Sequence, residues 1–165
     1  MSIISKLQFC YDMDLSQKII KAFPAQQIIP SISLRCGDSR DGYGPDIPYD
    51  AMIDEPSDEY LERYGAGITF LDAESWRYYL PLLMRYALNH LGGSRSMVVD
   101  YMLLSLRPPD REPPRLGSLT PEQESVIAEF LEVLAFDDRS GYQANACQVL
   151  EEYWIPGALY RNIKD

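Results

Sequence analysis

The residues that could do chemistry begin with carboxylates placed among glycines in the stretch GDSRDGYGPD. Asp38, Asp41 and Asp46 stand beside Gly42 and Gly44, and carboxylates on a turn could hold calcium or magnesium. An EF-hand loop, however, needs acids at alternate positions, then a glycine and a final glutamate, and the spacing here does not match. We therefore interpret these acids as a solvated surface and predict no bound metal and no cofactor.

The chain contains one histidine, His90, which excludes any site that needs two histidine ligands. A Ser-His-Asp or Cys-His centre would have to use this residue. His90 falls in the last turn of a predicted helix, where a partial positive charge complements the negative helix end. We favour this structural role, predict no catalytic residue, and lean against an enzyme.

The three cysteines, Cys10, Cys36 and Cys147, are far apart, odd in number and form no CxxC pair. This pattern favours reduced thiols over a disulfide framework or a zinc site, and so predicts a cytoplasmic protein. The stretch from Met1 to Cys10 has no apolar run and does not resemble a signal peptide.

The clearest chemical feature is a negative surface. The net charge is −10 and the isoelectric point is near 4.5. Nine acids lie between Asp38 and Glu62, where Arg40 is the one basic residue. Such a surface repels nucleic acid and anionic membranes and attracts basic proteins.

Tyrosines lie between these acids, and acid with tyrosine is a composition suited to binding a lysine- or arginine-rich protein. Three further acids crowd the C-terminal end of a predicted helix, where the helix dipole disfavours them. The predicted partner-contacting residues are Asp38, Asp41, Tyr43, Asp46, Tyr49, Asp50, Asp54, Glu55, Asp58, Glu59, Glu132, Asp137 and Asp138.

The positions of apolar residues predict an all-α fold. A chain of 165 residues, 46% hydrophobic, is expected to form one compact helical domain. Helical spacing predicts five to six helices, over residues 13–23, 57–64, 72–91, 94–106, 120–136 and 141–154. Residues 36–64 are predicted to be a long acidic loop region that closes with the short helix at 57–64. IIPSISL, around Pro30, is either a short edge strand or an extended loop.

The central helix is predicted from LDAESWRYYLPLLMRYALNH. Its charged residues exclude a membrane span. Pro81 falls on the polar stripe, so the helix can continue through it with a bend. The aromatic stripes are either a half-buried core or the wall of a ligand cleft; they contain Trp76, Tyr78, Tyr79 and Tyr86.

The most specific local signal is LTPEQ, in which Thr120 is the predicted N-cap and Gln123 completes a capping box. Together with FLDAESWRYYLP at Phe70–Pro81 and LLSLRPP at Leu103–Pro109, this block resembles an uncharacterised family of small acidic bacterial proteins. The resemblance covers about residues 57–154. It implies an all-α cytoplasmic domain of unknown function and supplies no catalytic residues. In its compact acidic character the chain is similar to immunity proteins, which bind and block a toxin made by the same cell.

These observations lead to three functional hypotheses. The leading one is a non-enzymatic intracellular binding protein of the immunity type, which neutralises a basic toxin through its acidic surface. One alternative is a small-molecule- or metal-binding enzyme with a tyrosine-lined cleft. The other is a regulatory subunit of a larger assembly, which would present a large apolar patch on residues 97–106. The sequence leaves the oligomeric state open.

Overall fold

The computed structural model describes residues 14–24 and 29–161, and within these ranges it contains seven helices and no strand. The predicted all-α class is confirmed. The helices are α1 (residues 14–22), α2 (Leu34–Asp41), α3 (Asp58–Tyr64), α4 (Ala73–Asn89), α5 (Met97–Ser105), α6 (Pro121–Phe136) and α7 (Gln143–Val149). Two 3₁₀ segments, Gly65–Phe70 and Leu116–Ser118, lie between helices, and a π-helical turn, Leu150–Trp154, continues α7. The cysteine at position 10, the predicted start of α1 at residue 13 and the beginning of IIPSISL lie outside the described residues.

Helix α2 is a correction to the predicted loop at residues 36–64. The helix begins after Ser33, whose hydroxyl accepts a hydrogen bond from the Cys36 amide at 3.1 Å, as an N-cap should. The irregular part of the region is therefore residues 42–57, here called the acidic loop. The alternative of a strand is wrong for residues 29–33, which form bends before α2.

The predicted helix starts are largely confirmed. Ser57, Asp72 and Thr120 each accept a hydrogen bond from the amide three residues further on, and Gln123 completes the capping box at the start of α6. Helix α5 begins later than predicted, because Ser96 rather than Ser94 is its N-cap.

Helix α4 is the centre of the core. Trp76 and Tyr79 are fully buried, and the Trp76 indole nitrogen donates to the Ser105 hydroxyl of α5 at 3.0 Å. Pro81 lies within the helix, which continues through it to Asn89. Most of the aromatic stripe is thus core rather than cleft. Among the described residues, no helix has the length and apolar character needed to cross a bilayer.

Helix α2 packs against the 3₁₀ segment Gly65–Phe70 through direct backbone contact between two glycines. A Cβ atom added to Gly67 would lie 2.0 Å from the Leu34 carbonyl oxygen, and one added to Gly37 would lie 2.3 Å from the Gly67 oxygen. Only glycine permits so close an approach. This contact positions α2, and α2 in turn carries the acidic loop.

We expect Gly67→Ala to lower the free energy of unfolding by about 3 kcal/mol, the upper end of the cost of overpacking, because the new methyl group meets backbone that cannot move aside. The measurement is urea unfolding followed by circular dichroism. Gly141→Ala is the matched control, since its added Cβ would be 4.0 Å from the nearest atom, in Arg95. Equal stabilities of the two variants would contradict the proposed backbone contact.

Candidate functional site

A buried carboxylate, that of Asp54, anchors the acidic loop to the helical body. Its side chain has no exposed surface. The Nε and Nη2 atoms of Arg35 donate to its two oxygens, both at 2.9 Å. The Asp50 amide donates to it at 2.8 Å and the Tyr60 hydroxyl at 3.0 Å. The prediction that Asp54 belongs to an exposed acidic surface is therefore wrong, because the side chain of this residue is buried.

The pair is ionised at neutral pH. Burial raises the pKa of Asp54, but the hydrogen bonds from Arg35, the Asp50 amide and Tyr60 together outweigh burial and leave that pKa below its ordinary value. The hydrogen bond to Asp54 raises the pKa of Arg35. Burial raises the pKa of Tyr60 to about 12, so its hydroxyl keeps the proton that it donates.

Further hydrogen bonds from α2 hold the first half of the acidic loop. The Gly44 amide donates to the Ser39 carbonyl at 2.7 Å, and the Ser39 hydroxyl donates to the Pro45 carbonyl at 2.8 Å. Arg40 forms a two-pronged contact with Asp46, at 2.7 and 2.9 Å. The loop thus has a defined backbone conformation before any partner binds.

The outer face of the loop is apolar as well as acidic. Tyr43 is fully exposed, Met52 is 90% exposed and Ile53 is 52% exposed. Residues 41–59 contain seven acids and no basic residue. Six of these acids are exposed: Asp41, Asp46, Asp50, Glu55, Asp58 and Glu59. Large apolar side chains with a charged surround are the usual anatomy of a protein-binding patch.

Sequence reasoning missed Met52 and Ile53. The signal that could have found them is a pair of large apolar residues in a segment rich in acids, proline and glycine, with no helical periodicity to bury them. The predicted Asp38 and Tyr49 are only partly exposed.

The structure places the other three predicted acids on α6 and in the turn that follows it. Glu132 and Asp138 are exposed at the C-terminal end of α6, and Asp137 caps that end while pairing with Arg139 at 2.7 Å. Helix α6 packs against α7 and the π-helical turn, whereas α2 and α3 pack on the 3₁₀ segment Gly65–Phe70. We therefore define the candidate site as the acidic loop with the start of α3.

His90 has the structural surroundings that were predicted for it. It is the C-cap residue of α4, its ring stacks on Tyr86 with centroids 4.3 Å apart, and Nδ1 lies 2.9 Å from the Tyr86 carbonyl oxygen. Its Nε2 is 3.5 Å from an Asp58 oxygen. No group of three or more potential metal ligands occurs in the described part of the chain.

The cleft alternative corresponds to a cavity of about 290 Å³ beside Pro81. Tyr78 lines it, but Trp76 and Tyr86 do not, since both are buried in the core. Among the described residues that line the cavity, Glu74 is the one carboxylate, so these residues do not bring together the converging acids that would favour this alternative.

The regulatory-subunit alternative corresponds to the outer side of α5. Met97 is 61% exposed and Leu104 is 51% exposed, while the apolar residues Val98, Val99, Met102 and Leu103 are buried. Two exposed side chains, two turns apart, form a narrower surface than the large patch that this alternative requires.

The fold and the loop define an all-α protein whose most prominent surface feature is an ordered acidic loop. Residues 12–158 match the sequence profile of a family described as Family of unknown function (DUF6714), and the chain belongs to this family. The resemblance to an uncharacterised family is thereby confirmed. No curated protein and no solved structure matches the chain.

We expect Asp54→Asn to lower the free energy of unfolding at pH 7 by about 3 kcal/mol, because Arg35 then keeps a largely buried charge without its partner. Since the pKa of folded Asp54 lies below its unfolded value of about 3.9, the ionised carboxylate stabilises the fold above that value. This contribution is lost as the pH falls through the folded pKa. Urea unfolding at pH 7 and at about pH 3 should therefore show a large gap between wild type and variant that narrows in acid.

The control for this experiment is Glu112→Gln, which removes one charge at an exposed site. It should stay within about 0.5 kcal/mol of wild type at pH 7. An Asp54→Asn variant as stable as this control would show that the buried pair does not anchor the loop.

Proposed function

We propose that this protein is a non-enzymatic intracellular binding protein that docks a basic protein partner on its acidic loop. The observation that carries the proposal is that two features occur together in the acidic loop: exposed apolar side chains among acids, and a backbone fixed by a buried carboxylate. The loop exposes Tyr43, Met52 and Ile53 among acids, and the buried Asp54 fixes its backbone.

Each part of this arrangement has a role in binding. Exposed acids accelerate the approach of a basic protein and select against acidic ones. Tyrosine and methionine supply contact area, and methionine adapts its shape to the partner. A loop that is already ordered loses less conformational entropy on binding than a flexible one.

The partner class that we propose is a basic toxin whose working surface the loop covers, as in immunity proteins. The net charge of −10 and the similarity in compact acidic character support this assignment. A cytoplasmic location follows from the same proposal, and the free thiols of Cys36 and Cys147 are consistent with a reducing compartment.

Photo-cross-linking in the native host tests where the partner binds. A photoreactive phenylalanine analogue replaces Met52 in one strain and Met97, an exposed methionine on α5, in the other. We expect the analogue at position 52, and not at 97, to capture one protein with an isoelectric point above about 9. Capture from position 97 alone would refute the docking site and favour the regulatory-subunit alternative.

Charge neutralisation tests how the captured partner, once purified, is recognised. We expect the triple variant Asp50→Asn, Glu55→Gln, Glu59→Gln to lower the association rate constant at least about tenfold in surface plasmon resonance. The wild-type rate should also fall as salt rises from about 0.05 to 0.5 M, because salt screens exposed charges.

The matched control is the triple variant Glu112→Gln, Glu122→Gln, Glu151→Gln. It removes three exposed charges elsewhere and, like the first, includes the second residue of a helix. Equal rate losses for the two triples would show that net charge alone acts, and would contradict docking on the acidic loop.

A further inference from the structure

A groove of about 470 Å³ beside the connector between α5 and α6 concentrates positive charge in this acidic protein. Arg107, Arg111 and Arg115 all line it. They are three of the 15 lysines and arginines in a chain of net charge −10. The groove involves none of the residues of the acidic loop.

Arg115 is buried, only 4% exposed, and lacks a carboxylate partner among the described residues. Its Nη2 donates to the Thr69 carbonyl at 3.0 Å and to the Leu71 carbonyl, so it caps the end of the 3₁₀ segment. Its Nε is enclosed and has no hydrogen-bond partner, and its Nη1 makes no hydrogen bond to any described residue. The structural role therefore uses one of the three guanidinium nitrogens.

A buried charge without a hydrogen-bonded counter-ion is costly. Burial and the nearby charge of Arg111 lower the pKa of Arg115 to about 10, although the charges of Asp110 and Asp72 raise it, and the group remains positive at neutral pH. The site thus carries a positive charge that forms no ion pair among the described residues.

The carboxylates near the groove are already engaged. The two oxygens of Asp110 accept hydrogen bonds from four backbone amides, those of Arg111, Arg115, Leu116 and Gly117, and so shape the connector. Glu152 accepts hydrogen bonds from Nε and Nη2 of Arg107, each at 2.7 Å. Arg111 is exposed, and it forms no ion pair with the described residues.

We propose that this groove binds a small oxyanion, a carboxylate or phosphate group, held by the side chains of Arg115 and Arg111. Hydrogen bonds from a guanidinium to an oxyanion are charge-assisted and strong. Nη1 is the donor that Arg115 can offer, because Nη2 binds two carbonyls and Nε is enclosed. The exposed Arg111 can present its planar fork to two oxygens of the anion. Arg115 lies at the buried wall and fixes the position of the anion, while Arg111 closes over it from the exposed rim.

The test is a titration of the ¹⁵N-labelled full chain with sodium phosphate, phenyl phosphate and acetate in separate experiments, at constant ionic strength. We expect saturable shifts of the amide resonances of residues 110–112 and 115–117 at millimolar concentrations for at least one anion. A stronger response to phosphate or phenyl phosphate assigns a phosphate ligand, and a stronger response to acetate assigns a carboxylate; either result supports the site.

Arg111→Gln should weaken the binding about tenfold, the loss of one charge-assisted contact, without unfolding the protein. Arg63→Gln, which removes an exposed arginine on α3, should leave the affinity unchanged. Shifts that never saturate with any of the three anions would overturn the proposal, and so would equal weakening by the two variants.

Discussion

The structure depends on the burial of one ion pair, Asp54 with Arg35. The acidic loop has no regular secondary structure, so some of its polar backbone groups need side-chain partners. The Asp54 carboxylate, which Arg35 holds in place, accepts a hydrogen bond from the Asp50 amide. Arg35 also donates directly to the Pro48 carbonyl at 3.1 Å. Tyr60 brings α3 to the same carboxylate. One buried group therefore holds two helices and the loop between them in a single arrangement.

The charge distribution around this pair opposes folding more than it assists it. Seven acids between residues 41 and 59 repel one another, and only Asp46 and Asp54 have an arginine partner among the described residues. Exposing Met52 and Ile53 next to them adds nothing to the core. A helical body with a well-packed α4 does not need such a segment, so stability does not explain its composition, whereas the binding role that we propose does.

Local signals in the sequence predicted the parts of the fold that local interactions determine. The capping box of Thr120 and Gln123 and the wide apolar face of α4 are examples. Helix α2 escaped prediction because it packs through Gly37 on Gly67, a backbone contact that leaves no apolar periodicity. The burial of Asp54 depends on Arg35, 19 residues away, and a single sequence gives no sign of such a pairing. Without Asp54 as its anchor, the loop could be predicted only as a solvated acidic surface.

An ion pair, rather than an apolar contact, at the root of the loop fits the binding role that we propose for it. Apolar side chains of similar volume often stabilise a buried site as well as an ion pair does. They have no direction, however, and would leave the Asp50 amide and the Pro48 carbonyl without partners. The two-pronged bond of Arg35 fixes both the position and the rotation of the carboxylate, and hence the path of residues 48–54. The pair holds the loop in one shape, and a single shape is the property that the proposed preformed binding surface requires.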